Sequence, residues 1–354
     1  MKPGELDECT LRALFETKIK DELDGQVKPG SMTGRERPVI IFTGGQPGAG
    51  KSNANARAKY DRPNLVEIVG DDFRAHHPDY RRIMRDDPLT MPDHTAQASG
   101  RWVGMSADYT RSQRMDTLLE TTLRQPDVVA RTMGDFKKAG YEVELHVVAV
   151  PAEISRIGTV NRYAGQVRDQ GAGRWTPSAA HDVAAAAVPG TMKTLLDSGL
   201  VDRLLLVSRS GDELYSRDQR IGQKIDSEEA VSALNLARDV SKTEPVAAVQ
   251  ELGNAERGIA TCASTGQTDR DLLSTISRFT ATDAPALAKA AYPGSDAEQK
   301  KALGKIQAAA QPLGSQKTKQ GLNDRIRQRV EAIKKQPGEV RSNAPRLDKG
   351  GPKR

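Results

Sequence analysis

Only two cysteines, Cys9 and Cys262, stand among the 354 residues. They are too few for a disulfide framework and too far apart for a metal-type spacing, which suits a reducing cytoplasm. Long apolar runs are also missing. The longest, such as Val147–Val150 and Leu204–Val207, fall far short of the roughly 18 residues a membrane span requires, so no membrane segment is expected. The N-terminal stretch Met1-Lys2-Pro3-Gly4-Glu5-Leu6-Asp7-Glu8 is acidic where a secretory signal is basic and then apolar, which argues against Sec export. No aromatic residue follows Tyr292. Base stacking on nucleic acid is therefore excluded for the C-terminal end.

What is present is an ordinary globular composition, 37% apolar and 28% charged, which excludes collagen-like, coiled-coil-only and fully disordered chains. The length allows roughly two to three average domains. The net charge of +6 is unevenly distributed: residues 1–290 hold 38 bases against 41 acids, and residues 291–354 hold 15 against 6. The body is mildly acidic and the tail strongly basic.

Leu6, Leu11, Leu14, Phe15 and Ile19 recur at helical spacing and predict one amphipathic helix over residues 5–24. The β-branched run Pro38–Thr43 reads as a strand buried on both faces, and further strands are expected at Leu65–Val69, Thr117–Thr121, Val143–Val150 and Arg203–Val207. Helical stretches such as Pro126–Ala139 and Ala152–Gln166 separate them. Such alternation predicts an α/β fold, a P-loop kinase-like parallel sheet with helices on both faces. After about residue 225 only Ala-rich helical patterns remain, at Ser227–Ser241, Glu244–Leu252, Asp283–Ala291 and Asp296–Ala310. One more helix candidate lies at Leu322–Lys335, and residues 336–354 have the composition of a disordered end. The expected divisions are an N-terminal helix (1–34), the α/β domain (35–224), a helical extension (225–310) and a basic, largely disordered tail (311–354).

The first strand runs into Gly45-Gln46-Pro47-Gly48-Ala49-Gly50-Lys51-Ser52, a complete G-x-x-x-x-G-K-[ST] phosphate-binding loop. The glycines let backbone N–H groups surround a phosphate at a helix N-terminus, Lys51 reaches the β/γ oxygens, and Ser52 supplies a ligand for Mg²⁺. No N-K-x-D base reader of GTPases is evident, so ATP is the expected nucleotide, with GTP the alternative.

Phosphoryl transfer also needs a group that accepts the acceptor's proton and cations that balance the moving phosphoryl. In open parallel sheets such groups stand at the carboxyl ends of strands. The second strand ends in Gly70-Asp71-Asp72-Phe73-Arg74, which makes Asp71 a candidate base and Arg74 a candidate substrate or phosphate contact; helix capping by either aspartate is the plainer alternative. Glu120, in an otherwise apolar strand followed by Thr122, is better explained by a ligand hydroxyl or cation than by packing, with a buried arginine partner as the alternative. Arg156 and Arg162, with Arg168 and Arg174 beyond, follow the fourth strand, where arginines can close over a nucleotide.

These motifs, taken in order, resemble the zeta toxin family of P-loop kinases. The likeness spans about residues 35–215. It rests on Thr43–Ser52, Asp71-Asp72-Phe73-Arg74 with His77-Pro78, His94-Thr95 with Gly100-Arg101-Trp102-Val103, Leu119–Arg124, Ala139-Gly140-Tyr141 leading to Ala149-Val150-Pro151, Asn161-Arg162-Tyr163, Arg174-Trp175-Thr176-Pro177 and His181-Asp182. The resemblance implies an ATP- or GTP-dependent kinase that phosphorylates the 3′-hydroxyl of the sugar in UDP-N-acetylglucosamine and so blocks bacterial cell-wall synthesis. It assigns the catalytic base to Asp71, the phosphate lysine to Lys51, catalytic arginines to Arg162 and Arg174, and substrate binding to Glu120 and Thr122. An antitoxin or immunity protein is the implied partner. Thr121 replaces the glycine of many relatives, Asp72 doubles the acid of the base turn, and residues after 225 have no recognised counterpart. A zeta-like effector kinase acting on a nicotinamide dinucleotide such as NAD, and a nucleic-acid-binding P-loop ATPase anchored by the tail, are the alternatives. For the tail itself, a solvated end, an address for secretion or conjugation machinery, and a protein contact surface all remain open.

Overall fold

The computed structural model describes residues 4–27 and 37–314. Asp7 opens the first helix by accepting the Thr10 amide at 2.9 Å. α1 (Glu8–Leu14) continues through a π turn, Phe15–Ile19, into α2 (Lys20–Asp24). Leu11, Phe15, Ile19 and Leu23 are buried at every fourth position, a wider repeat than the ~3.6 residues of an α-helical turn, and the π turn keeps them on one stripe. The stripe packs into the main core, where the Trp102 indole N–H donates to the Leu11 carbonyl at 3.0 Å. The expected amphipathic helix is thus a continuous rod that begins at Glu8.

β1 (Val39–Gly44) is buried at all six positions, as its run of β-branched and aromatic residues demands of a central strand. α3 (Lys51–Asp61), β2 (Val66–Ile68), the short helices α4 (Tyr80–Asp86) and α5 (Met91–His94), and α6 (Ala96–Ser112) lead to β3 (Thr117–Thr121). α7 (Pro126–Lys138), β4 (Glu142–Val148), α8 (Ala152–Gln170), α9 (Ser178–Asp197), β5 (Arg203–Val207) and β6 (Glu213–Asp218) complete the α/β part. The sheet order is β2-β3-β1-β4-β5-β6, parallel throughout except for β6, which runs antiparallel to β5. The parallel sheet expected from the sequence is formed by β1–β5, and β6 is an additional antiparallel strand at its edge. Glu213, Ser216, Arg217 and Asp218 give it no apolar run, because an edge strand with a solvated face needs none.

β1 lies between β3 and β4, so the chain changes direction across it and leaves a crevice at the strands' carboxyl ends. The register sets Thr43 opposite Glu120 and Gly44 opposite Thr121, which brings the phosphate-binding loop next to the end of β3.

Beyond the sheet come α10 (Ser227–Ala237), α11 (Pro245–Thr265), α12 (Arg270–Arg278) and α13 (Ala284–Ala291), then a helix over residues 296–314. α11 is more than twice as long as the expected Glu244–Leu252, and α12 was not anticipated. Leu252, Ile259, Cys262, Leu273, Phe279 and Leu287 from this region share one core with Ala49, Val150, Ile157, Val160 and Trp175 of the α/β part. No helix among the described residues is long and apolar enough to cross a membrane. The helix candidate at Leu322–Lys335 and the tail from residue 315 lie outside the described residues.

Candidate active site

The glycine loop between β1 and α3 is shaped by backbone that other residues could not adopt. Gly48 has φ +75°, and a Cβ there would stand 2.1 Å from the Ser155 carbonyl of α8, so both conformation and space require glycine. The Gln46 side chain is fully buried and bolts the loop down, donating to the Val150 carbonyl at 2.8 Å and the Ser155 hydroxyl at 3.1 Å. Ser155 in turn meets His181 Nε2 at 2.9 Å, and His181 Nδ1 meets Asp182 at 2.9 Å. This Ser-His-Asp series is a support and offers no nucleophile, since Ser155 is completely enclosed. Burial pushes the His181 imidazole below its ordinary pKa, in spite of Asp182 beside it.

Lys51, at the first position of α3, is 8% exposed. Its ammonium donates to the Gly45 carbonyl at 3.0 Å and the Gln46 carbonyl at 3.4 Å and stands 3.5 Å from Glu120 Oε1. Glu120 therefore has a lysine partner; the arginine considered from the sequence is not its partner. Its other oxygen accepts from Asn55 Nδ2 at 3.2 Å, one helical turn beyond Lys51.

A cavity of about 450 Å³ opens beside the loop, lined among others by Ser52, Asp71, Asp72, Arg74, Glu120, Arg162 and Arg174. The structure thus brings together seven residues from five separate stretches of sequence. Arg74 Nε donates to Asp71 at 3.0 Å, and Arg174 forms a second, close ion pair with the same carboxylate oxygen. Burial raises the Asp71 pKa, but Arg174, Arg74 and Arg162 outweigh it and bring it down to about 2. Asp72 moves upward through burial and through the carboxylates of Asp71, Glu67 and Glu120. Arg162 is lowered to about 10, first by burial and then by neighbouring Arg174. One of its guanidinium nitrogens bonds Thr176 Oγ1, while its Nε is buried with no partner. Such unmatched positive charge around an ionised aspartate suits a polyanionic ligand.

Thr122 does not line this cavity: it stands half-buried beyond the end of β3. Arg156 and Arg168 also lie elsewhere. Each is six residues from Arg162, which at about 100° per residue turns them well away from it. Arg156 is buried in ion pairs with Asp283 at 2.6 Å and Asp182 at 3.2 Å, and Arg168 pairs with Asp169 at the surface. Residues not singled out from the sequence, among them Tyr80, Met84, Met91, Gln166 and Gln170, also line the wall. Gln166 could have been found one turn after Arg162; the methionines carry no signal beyond their helices. Thr95 proves to be a support for Arg74, whose Nη1 donates to its hydroxyl at 2.6 Å.

Mg²⁺ favours hard oxygen ligands, and Ser52, Asp71 and Asp72 line the same cavity with oxygen-bearing side chains of that kind.

The family model described as zeta toxin matches residues 22–220. Among curated proteins, Toxin zeta of Enterococcus hirae is 31% identical over 206 residues, covering 58% of this chain and 71% of the relative. Toxin PezT of Streptococcus pneumoniae is 30% identical over 182 residues, covering 51% of this chain and 72% of the relative. Among solved structures, one from a study of the PezAT chromosomal toxin–antitoxin system of Streptococcus pneumoniae superposes with a TM-score of 0.60 at 21% identity, covering 75% of this chain and all of that one. Another, AvrRxo1-ORF1:-ORF2 with ATP, reaches a TM-score of 0.51 at 14% identity and covers 78% of this chain and 91% of that one. At these identities the superpositions speak for the fold alone.

Proposed function

The chain belongs to the zeta toxin family, and from that premise we propose that it is an ATP-dependent kinase that phosphorylates the 3′-hydroxyl of the sugar in UDP-N-acetylglucosamine. The observation that carries this reading is the single cavity in which the phosphate-binding loop, an ionised Asp71 and the guanidiniums of Arg74, Arg162 and Arg174 converge.

Backbone N–H groups of Gly45–Ser52 and the start of α3 hold the ATP phosphates, with Lys51 leaving the loop carbonyls for the β/γ oxygens. Ser52 would supply a ligand to Mg²⁺, which when bound would neutralise phosphate charge. Asp71 accepts the proton of the attacking sugar hydroxyl. With the site empty its pKa of about 2 makes it a weak base. When phosphate oxygens draw Arg162 and Arg174 away from it, two of the three charges that depress its pKa are shared with the nucleotide. Its basicity then rises when the donor is in place, which disfavours proton abstraction without ATP. Arg162 and Arg174 stabilise the transferring phosphoryl, while Glu120 and Arg74 orient the acceptor.

In this reading the enzyme acts in the cytoplasm, and a cognate antitoxin keeps the nucleotide site closed until release. The test is incubation of the purified chain with Mg·ATP and a panel of UDP-sugars and dinucleotides, followed by mass spectrometry. A UDP-N-acetylglucosamine product heavier by one phosphate is expected. A dinucleotide as the sole phosphorylated species would move the acceptor to that class. ATP hydrolysis dependent on DNA, with no metabolite altered, would overturn the kinase reading.

A further inference from the structure

We propose that Arg209 and Glu251 are a positioning pair for the phosphate-binding loop, so that the helical region after residue 225 is a working part of the nucleotide site. The proposal rests on the reading of that loop given above and extends it to Glu251 of α11, beyond the matched family region.

Arg209 stands in the turn between β5 and β6. Its guanidinium Nη1 donates to the Gly48 carbonyl at the crown of the loop, and its Nε meets Glu251 Oε1 at 2.9 Å. Its own carbonyl accepts from Asn53 Nδ2 at 2.9 Å, in the first turn of α3. One residue therefore touches the loop, the helix the loop feeds, and α11. A planar trans peptide sets C=O and N–H on opposite sides, so a cation holding the Gly48 carbonyl outward turns the Ala49 N–H inward. There it bonds the Gln46 carbonyl at 3.2 Å, within the loop.

Glu251 is itself held in place. It is 8% exposed, and its Oε2 is buried with no hydrogen-bond partner, so Arg209 carries the compensation of a buried carboxylate. Two helical turns on, a Cβ at Gly258 would stand 2.0 Å from Asn161 Oδ1 of α8, the residue before Arg162. The missing side chain at Gly258 leaves room for Asn161 where α11 packs on α8, and that packing brings Glu251 to Arg209. A second set of contacts ties the same region to the loop's other end. Asp283 and Arg278 pair with Arg156 and Asp182, and Asp182 orients His181, which meets the Ser155 that holds Gln46.

The test measures Mg·ATP and Mg·ADP affinity of the full chain by titration calorimetry, with melting curves as the folding control. Glu251→Ala should weaken both nucleotides about 10-fold, as expected for loss of a charge-assisted contact, and Arg209→Ala by at least as much. The double variant should be no weaker than Arg209→Ala alone, within about two-fold, because Glu251 acts through Arg209. KM for ATP should rise by the same factor while the acceptor KM stays put, a split that general destabilisation would not give. Glu251→Gln, which keeps an acceptor for Nε, should recover most of the loss. Wild-type affinity in Arg209→Ala, or additive losses in the double variant, would overturn the pair while leaving the nucleotide site standing. Should Glu251→Ala fail to fold, Arg209→Met decides on the same criterion. Nucleotide binding that is absent in the wild type, or unaffected by Lys51→Ala, would overturn the reading of the loop and the pair with it.

Discussion

The two sides of α8 use the same residue type for different ends. On one, Arg162 and Gln166 face a cavity where three cations, Arg74, Arg162 and Arg174, meet three carboxylates, Asp71, Asp72 and Glu120, the last of them also paired with Lys51. On the other, Arg156 is enclosed at 5% exposure and matched by Asp182 and Asp283. Arg162 retains a buried guanidinium nitrogen without a partner, whereas Arg156 contributes no such atom to the unpartnered set. An arginine fully matched by protein carboxylates stabilises a structure; one left with spare donors and a depressed pKa is poised for an incoming anion.

The sharpest way to break this contrast is to remove the groups that would touch the transferring phosphoryl. Lys51→Ala and Asp71→Ala should each lower phosphoryl transfer by about 10⁴-fold or more, and abolish toxicity on expression. Full activity in Asp71→Ala would remove it as the base. Next, Arg162→Ala should reduce kcat by about 10³-fold, measured by product formation at saturating substrates. A change confined to KM would reassign it to binding.

Arg156→Ala should behave oppositely. It leaves Asp283 buried without its ion-pair partner, a loss of about 3–5 kcal/mol by the usual cost of breaking a buried pair, read in urea unfolding. The fraction that remains folded should retain kcat within about two-fold. Loss of kcat with unchanged stability would erase the distinction between the two faces.

The smallest expected effect concerns pH. Asp71 has its pKa depressed from 3.8 to about 2, so its ionised form contributes stability that is complete above pH 3.8 and is lost as pH falls toward 2. Thermal melts between pH 5 and 2 should therefore show a steeper decline for the wild type than for Asp71→Asn, by an amount moderated by solvent because the carboxylate is partly exposed. Parallel curves would show that the three arginines do not hold this carboxylate in the free enzyme.

Much of the α/β part was legible because local pattern and tertiary role coincide there. The runs at Thr117–Thr121 and Arg203–Val207 are strands over those same residues, since their apolar centres, Leu118-Leu119 and Leu204–Val207, belong in the middle of the sheet. Lys51, Asp71 and Glu120 were reachable because a glycine loop and strand ends fix where such groups must stand, whereas Arg162 and Arg174 were set apart from Arg156 and Arg168 only by the family resemblance. β6 was not, as an edge strand is free to be polar. Arg156 could not be told from Arg162 by spacing alone, because Asp283 is 127 residues away. Gly48 and Arg209 are 161 residues apart, and no periodicity links residues at that distance. The long α11 escaped for a different reason: Gly253 and Gly258 interrupt its pattern, yet Gly258 is where the Asn161 side chain of α8 packs against the helix.

The most direct measurement is the position of the phosphate on the product. Purified chain, Mg·ATP and UDP-N-acetylglucosamine should give a single product whose ³¹P signal couples to the sugar H3 proton, and Asp71→Ala should give none. Phosphate attached elsewhere, or the same product formed by Asp71→Ala at the wild-type rate, would contradict the assignment of this cavity as a 3′-hydroxyl kinase site.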